Sequence, residues 1–351
     1  MNRRGYKLAR IMVIGVGGGG NNAINRMKEA GIQGVEMIAV NTDAQVLDII
    51  KADETLQIGE KLTNGLGAGG DPKIGEQGAE ENKEEISELL EGVDMVFVTC
   101  GMGGGTGTGA SPIIAKIAQE KGILTTGIVT KPFSFEGQTR AEKAEVGIKN
   151  LSQTVDTIIT ISNDKLLKVA PENIPITQAF QLADEILKQG VKGISELITV
   201  PGMINLDFAD IKSAMKNAGS AMMGIGEGEG DGKTKEAAQN AISSPLLEGS
   251  IKGAKNVIMN ITGGSELSLE EVTEAATLIQ DTVSDKADII FGTTIQDGMD
   301  LVRLTVIATG FNRNFEEEED EIEQEKLLEN VEQEKNQTSD DLDIPTFLRR
   351  G

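Results

Sequence analysis

The sequence predicts an α/β protein: a parallel-sheet first domain, a long central helix, a smaller second α/β domain and an acidic tail. Three observations predict this. Short β-branched apolar runs alternate with helical patterns through the first half of the chain. Two glycine-rich runs each follow such an apolar run and open a helix. A long amphipathic stretch then separates this half from a second, shorter alternation. At 351 residues the chain exceeds what one hydrophobic core usually organises, so two globular units are expected.

In order, Ile11–Ile14, Val35–Val40, Met95–Thr99, Thr125–Val129 and Thr157–Ile161 read as buried strands. Asn21–Ala30, Glu80–Leu90 and Pro112–Glu120 read as helices between them, an alternation that implies a parallel sheet covered on both faces. From about Thr177 to Ile198, Phe180, Ala183, Leu187, Val191, Ile194 and Ile198 recur at helical spacing until Pro201-Gly202, which predicts a rigid connecting helix. The second region predicts helices at Phe208–Asn217, Lys233–Ala241 and Leu269–Val283, the last opened by a Ser268/Glu271 capping box. Its strands are expected at Ala221–Ile225, Asn256–Ile261, Asp288–Thr293 and Leu301–Ala308. Glu316–Glu334 is strongly acidic with scattered apolar residues, too few to offset ordering entropy, so it reads as a disordered tether. The chain then offers Ile344, Pro345, Phe347 and Leu348, the composition of a short docking peptide. The expected divisions are 1–172, 173–202, 203–310, 311–341 and 342–351.

Composition narrows the chemistry. A net charge of −23 argues against nucleic-acid binding, which needs a basic face, although much of the acid lies after Phe315. With no histidine, His-based triads, His metal sites and His general bases are excluded. Cys100, the one cysteine, has no internal disulfide partner and reads as a small buried residue in a reducing cytoplasm. The N-terminal apolar stretch is too short for a signal peptide and no run is long enough to span a bilayer, so a cytoplasmic protein without direct membrane insertion is expected. The 43 glycines, without a collagen period, point to tight turns and close backbone approaches to a ligand.

Gly15-Val16-Gly17-Gly18-Gly19-Gly20 fits G-x-G-x-x-G, with Asp43 about twenty residues further on. Alone, it leaves a dinucleotide-binding Rossmann enzyme open. Gly101–Gly109 is a second cradle in the same strand–loop–helix setting: its N–H groups converge at a helix N-terminus, and Thr106 and Thr108 add hydroxyls. A dinucleotide enzyme does not need two such cradles, whereas a triphosphate does. No lysine follows the glycines, so this is not a P-loop; backbone dipoles and Mg²⁺ carried mainly by the phosphates must meet the charge, with no protein metal site expected.

The run from Gly103 to Gly109, with Asn21-Asn22, Asn41-Thr42-Asp43, the Gly65–Gly75 loop, Pro132-Phe133, Glu136, Arg140, Asn163-Asp164 and the terminal peptide, resembles the FtsZ family of bacterial cell-division GTPases in the tubulin superfamily. The resemblance covers nearly the whole chain, with small departures at Cys100 and Ser162. It implies a tubulin-like fold that binds GTP and GDP. Gly18, Gly19, Gly20, Asn21, Asn22, Gly69, Gly70, Gly104, Gly105, Thr106, Gly107 and Thr108 would then serve the phosphates, with Glu136 and Arg140 at the ribose and Asn163 also in the pocket.

By its residues alone Asp184 reads as a solvated helix charge; the resemblance makes it the reader of guanine N1–H and the 2-amino group, with Phe180 one turn earlier able to stack on the base. Asp207 likewise reads as an N-cap and Asp210 as a first-turn acid. The resemblance makes both catalytic, entering the nucleotide pocket of the next subunit. It therefore implies a head-to-tail homopolymer that forms the division ring at mid-cell, with hydrolysis switched on by assembly. Membrane adaptors and division regulators would be the partners that read Ile344, Pro345, Phe347 and Leu348.

Overall fold

The computed structural model describes residues 9–168, 170, 173–199, 207–247, 249–284 and 286–311. The expected acidic linker and docking peptide, together with Pro201-Gly202, lie outside the described residues, apart from Phe311.

The first region runs β1 (Ile11–Val16), α1 (Gly17–Glu29), β2 (Val35–Asn41), α2 (Ala44–Leu47), β3 (Glu54–Gln57), α3 (Glu60–Thr63), α4 (Pro72–Glu81), α5 (Lys83–Leu89), β4 (Met95–Gly101), α6 (Thr106–Glu120), β5 (Leu124–Lys131), α7 (Gln138–Ser152), β6 (Thr157–Ser162) and α8 (Asn163–Leu166). A 3₁₀ turn, Ser134–Glu136, joins β5 to α7. After it come α9 (Ile176–Thr199), α10 (Phe208–Met215), β7 (Gly219–Gly228), α11 (Lys233–Ile242), β8 (Asn256–Gly263), α12 (Leu269–Thr282), β9 (Asp288–Ile295) and β10 (Val302–Thr309).

The strands form one sheet in the order β3-β2-β1-β4-β5-β6-β7-β10-β8-β9. From β3 to β6 every pairing is parallel. Because successive side chains leave a strand on opposite faces, β1 divides its residues between two cores. Ile11 and Val13 pack with Ala23, Ile24 and Met27 of α1 and with Leu187, Val191 and Ile194 of α9. Met12 and Ile14 join Ile86 of α5, Ile114 of α6 and Leu151 of α7 on the other face.

The two α/β regions do not depend on α9 alone for their connection, as the connector reading supposed. β6 pairs in parallel with β7 through Thr157↔Gly219, Ile158↔Ser220 and Ile159↔Ala221, so one sheet continues through both. The core around α9 likewise draws on both, with Ile128 and Ile159 beside Met223, Ile258 and Ile307. Along α9 the predicted seam is buried at Ala183, Leu187, Val191 and Ile194, while Phe180 lies at its edge, 40% exposed.

The strands and helices of the second region match expectation to within a few residues, including the Ser268/Glu271 capping box. Elsewhere the differences have physical causes. The stretch expected as one helix over Glu80–Leu90 is divided between α4 and α5 at Asn82, whose φ of −102° and ψ of 23° break the helix. Both α1 and α6 begin inside the glycine runs, earlier than the first strong helix formers, and Pro112 sits within α6, where it has no N–H for the carbonyl of Thr108. The expectations omit β3, a short edge strand, and α7, which buries only Ala144, Gly147 and Leu151.

Candidate active site

The strand order reverses direction between β1 and β4, which are adjacent and parallel, with Gly15 opposite Thr99. α1 and α6 leave these strands for opposite faces, and the crevice outside the carboxyl ends is where an open α/β sheet takes a ligand. Two helices start here, and neither has a side-chain cap or an acidic residue in its first turn. Their leading N–H groups and positive dipole ends are thus left for an anion.

Glycine is required where the loops interlock. A Cβ on Gly17, whose φ is +69°, would come within 2.8 Å of the Gly107 nitrogen, and one on Gly20 would strike the Thr99 carbonyl. Gly105 packs against Ala68 and Asp71 of the third loop, and Gly109 against the Pro72 carbonyl of α4. Gly18, Gly69, Gly70 and Gly104 instead have open space where a Cβ would stand. The tight glycines let the three loops interlock, and the open ones leave backbone uncovered between them.

Several predicted ligand contacts are committed within the protein. Asn21 is fully buried; its amide donates to the carbonyls of Gly15 (2.8 Å) and Val40 (3.3 Å) and accepts from Asn41 (2.7 Å). Its side chain ties β1 to β2 and orders the loop, whereas Asn22 beside it is exposed. Thr106 shares a 2.7 Å hydrogen bond with Thr42, and Thr108 accepts from the Gly103 N–H at 2.8 Å. Both threonines are buried, so their hydroxyls also brace the second loop. The third loop is held by Asp71, which caps α4, and by Lys143 of α7, whose Nζ donates to the Gly70 carbonyl at 2.7 Å.

At the other end of the crevice three phenylalanines meet. Phe133 stacks on Phe135 with ring centroids 5.1 Å apart, and Phe180 stands edge-on to both at 5.4 and 6.2 Å. Phe133 is buried, while Phe135 and Phe180 are exposed faces available to an aromatic ligand. Glu136 accepts from the Phe133 N–H at 2.9 Å and pairs with Arg140 at 3.1 Å, and the Arg140 backbone lies over Gly103. Asn163, at the carboxyl end of β6, is 4% exposed and its Oδ1 has no hydrogen-bond partner among the described residues.

Asp184 projects from α9 with its side chain 14% exposed, facing Arg26 of α1 at 3.6 Å. Burial pushes its carboxyl up to about 6, and Arg26 works against that rise. This is not the solvated helix charge that its residue type suggests. Sequence reasoning missed Arg26 and Phe135; the signal for Phe135 was its place in Pro132-Phe133-Ser134-Phe135-Glu136, in a chain with only nine phenylalanines.

Asp207 and Asp210 are elsewhere. Asp207 caps α10 by accepting from the Asp210 N–H at 2.9 Å, and both are exposed. α9 starts at the carboxyl edge, where Phe180 meets Phe133, and finishes at the amino edge, where Thr199 lies against Gly34 just before β2. Its 24 residues span roughly 36 Å. The C-terminal end of α10 is fastened to Thr157 at the start of β6, also on the amino edge. The aspartates and the glycine loops of one chain are therefore on opposite edges of the sheet.

A doubly wound sheet with two uncapped helix ends, an aromatic cluster and a buried carboxylate defines a nucleotide-binding enzyme, and its class is the tubulin-like GTPases. Residues 10–171 match the Tubulin/FtsZ family GTPase domain, and residues 219–312 match the FtsZ family C-terminal domain. An empty FtsZ dimer from M. jannaschii is 47% identical, with a TM-score of 0.84 over 87% of this chain and 89% of its own. A mutant of M. jannaschii FtsZ gives the same identity and TM-score over 87% of this chain and 92% of its own. At the level of fold alone, CetZ2 from Haloferax volcanii, solved as a GTPγS-bound protofilament, is 21% identical with a TM-score of 0.72 over 87% of this chain and 94% of its own. The chain belongs to the FtsZ family and is a GTPase of that family. Among the described residues no helix is long and apolar enough to cross a membrane, and no group of three or more His, Cys, Asp or Glu gathers to hold a metal ion.

Proposed function

We propose that this chain assembles head to tail into filaments that form the cytokinetic ring at the division site beneath the membrane, and that GTP is hydrolysed where two subunits meet. The observation that carries the reading is the separation of Asp207 and Asp210 from the glycine loops by the depth of the sheet. A chain cannot fold back to complete its own site, but a second copy stacked in the same orientation can.

In this reading the backbone around Gly18–Asn22, Gly69–Gly70 and Gly104–Thr108 holds the phosphates, and Glu136 and Arg140 hold the ribose. Asp184 accepts from N1–H and the 2-amino group of guanine, Asn163 contributes its free acceptor, and Phe180 covers the base. Asp207 and Asp210 of the incoming subunit orient a water and draw off its proton as its oxygen bonds to the γ-phosphorus and the bond to the bridging oxygen breaks. The two helix-opening loops, Gly15–Asn22 and Gly101–Gly109, hold no lysine or arginine, so the phosphate charge fits a Mg²⁺ ion carried mainly by the phosphate oxygens, which would supply neutralising charge. GDP lacks the γ-phosphate contacts and weakens the contact between subunits. Adaptors that read Ile344, Pro345, Phe347 and Leu348 attach the filament to the membrane.

The test is GTP turnover per subunit at rising protein concentration, with sedimentation in parallel. Turnover near zero below a threshold, rising together with pelletable polymer, is expected; turnover proportional to protein at every concentration would overturn the shared site. NADH binding in place of GTP would restore the dinucleotide reading. Deleting residues 343–351 should leave assembly intact and remove adaptor binding.

A further inference from the structure

We propose that Asp156 and Lys216 are positioning residues for hydrolysis: they clamp the C-terminal end of α10 to the sheet and so set where Asp207 and Asp210, at its other end, are presented. The inference rests on the reading of those two aspartates given above.

Asp156 immediately precedes β6 and is 1% exposed. One carboxylate oxygen accepts from the Thr125 N–H of β5 at 2.9 Å. The other receives Lys216 Nζ at 2.9 Å and faces the Asn217 N–H at 3.4 Å. Its own carbonyl accepts from Gly219 at the start of β7 at 2.9 Å. A single buried acid thus joins β5, β6, β7 and the turn that follows α10.

The last carbonyls of a helix have no partner within it. Here the sheet supplies them: Thr157 Oγ1 of β6 donates to the Met215 carbonyl at 2.5 Å, and Thr309 Oγ1 of β10 donates to the Ala214 carbonyl at 3.0 Å. Lys216, next in sequence, places its cation at the negative end of the helix dipole. Ile211, Ala214 and Met215 are buried beneath, while Asp207 and Asp210 remain exposed. α10 is therefore fastened to the sheet at its C-terminal end, while at its other end Phe208 and Ile211 pack on the core and Asp207 and Asp210 face outward.

Simple geometry makes the anchor consequential. Eight residues make a lever of roughly 12 Å, so a tilt of about 10° at the clamp moves its tip by about 2 Å. A displacement of about 1 Å is enough to cost on the order of 100-fold in a positioned reaction. Packing alone does not require a buried acid paired with a half-buried lysine at this place, since apolar residues of similar volume can serve stability as well.

The experiment uses full-length Lys216→Met, which keeps the aliphatic stem of a side chain already 36% exposed. Three quantities are measured: GTP affinity of the monomer, pelletable polymer, and phosphate release per polymerised subunit. Affinity and polymer mass should stay within about twofold while release per polymerised subunit falls roughly tenfold, with Lys216→Arg restoring most of it. Asp156→Asn should move the same quantity in the same direction. Parallel losses of affinity, polymer and turnover would mean a merely structural role and overturn the assignment, as would parental turnover in Lys216→Met. Loss of polymer with intact affinity would assign the clamp to assembly and overturn it as well. If Lys216→Met is too unstable to assay, Lys216→Gln is read by the same outcomes. Asp210→Ala run alongside separates the two ideas: if it too keeps full turnover the catalytic reading has failed, and if it alone loses turnover only the positioning role has failed.

Discussion

Arg26 of α1 and Asp184 of α9 face each other at 3.6 Å, a charge pair made by the buried Arg26 Nε, which has no closer hydrogen-bond partner among the described residues. Burial outweighs the attraction, so the Asp184 carboxyl sits near 6, well above the ordinary aspartate range.

The sign of the pH effect follows. An acid whose folded value is raised stabilises the fold below its unfolded value, and that contribution is lost as pH rises through about 6. Relative to the parent, Asp184→Asn should gain stability between pH 4 and pH 7 by on the order of 3 kcal/mol, read from chemical denaturation across that range. If Asp184 reads guanine as proposed, recognition needs the ionised acid, so parental GTP affinity should fall as pH drops below about 6. The variant's affinity should be weaker, nearly flat with pH and indifferent between GTP and ATP. Nucleotide titrations at several pH values check this.

Two glycines in one loop should behave oppositely. Gly104→Ala adds a methyl to open space, so melting should be unchanged while GTP affinity drops roughly tenfold. Gly109→Ala drives a methyl into the Pro72 carbonyl and should cost about 1–3 kcal/mol in denaturant unfolding.

Asn21→Ala removes an amide that serves Gly15 at the end of β1 and Val40 and Asn41 at the end of β2. Leaving those groups unpaired should cost about 3 kcal/mol. Added GTP should recover part of the loss in a thermal melt, because the backbone cradle is still present.

Asp210→Ala should keep GTP binding and lose hydrolysis on the order of 100-fold. Asp207→Ala should do the same and also lower stability by about 1 kcal/mol, because it removes the cap of α10. Unchanged phosphate release in both variants would reduce the two residues to capping.

The strands were legible because runs such as Ile11–Val16 and Met95–Val98 are buried on both faces and carry unbroken apolar sequence. The same burial hid α7, whose core contact is made by an alanine, a glycine and a leucine on an otherwise polar helix. Glycine spacing revealed the cradle but could not separate interlocking positions such as Gly20 from lining positions such as Gly18, because that distinction lies in what each Cβ would meet across the crevice. Arg26 and Asp184 are far apart in sequence and become neighbours only when α9 settles against α1. Asp156 gave no local signal at all, since its partners come from three separate segments.

The course of α9 from one edge of the sheet to the other gives any row of these subunits a direction. In the head-to-tail arrangement proposed above, the outermost nucleotide at one terminus would have no incoming aspartates above it and would stay intact, while at the other bare aspartates would face water with nothing to cleave. Each interior nucleotide would start ageing when it is covered, so such a row would carry a record of its own growth, freshest at the terminus that newcomers join by their aspartates.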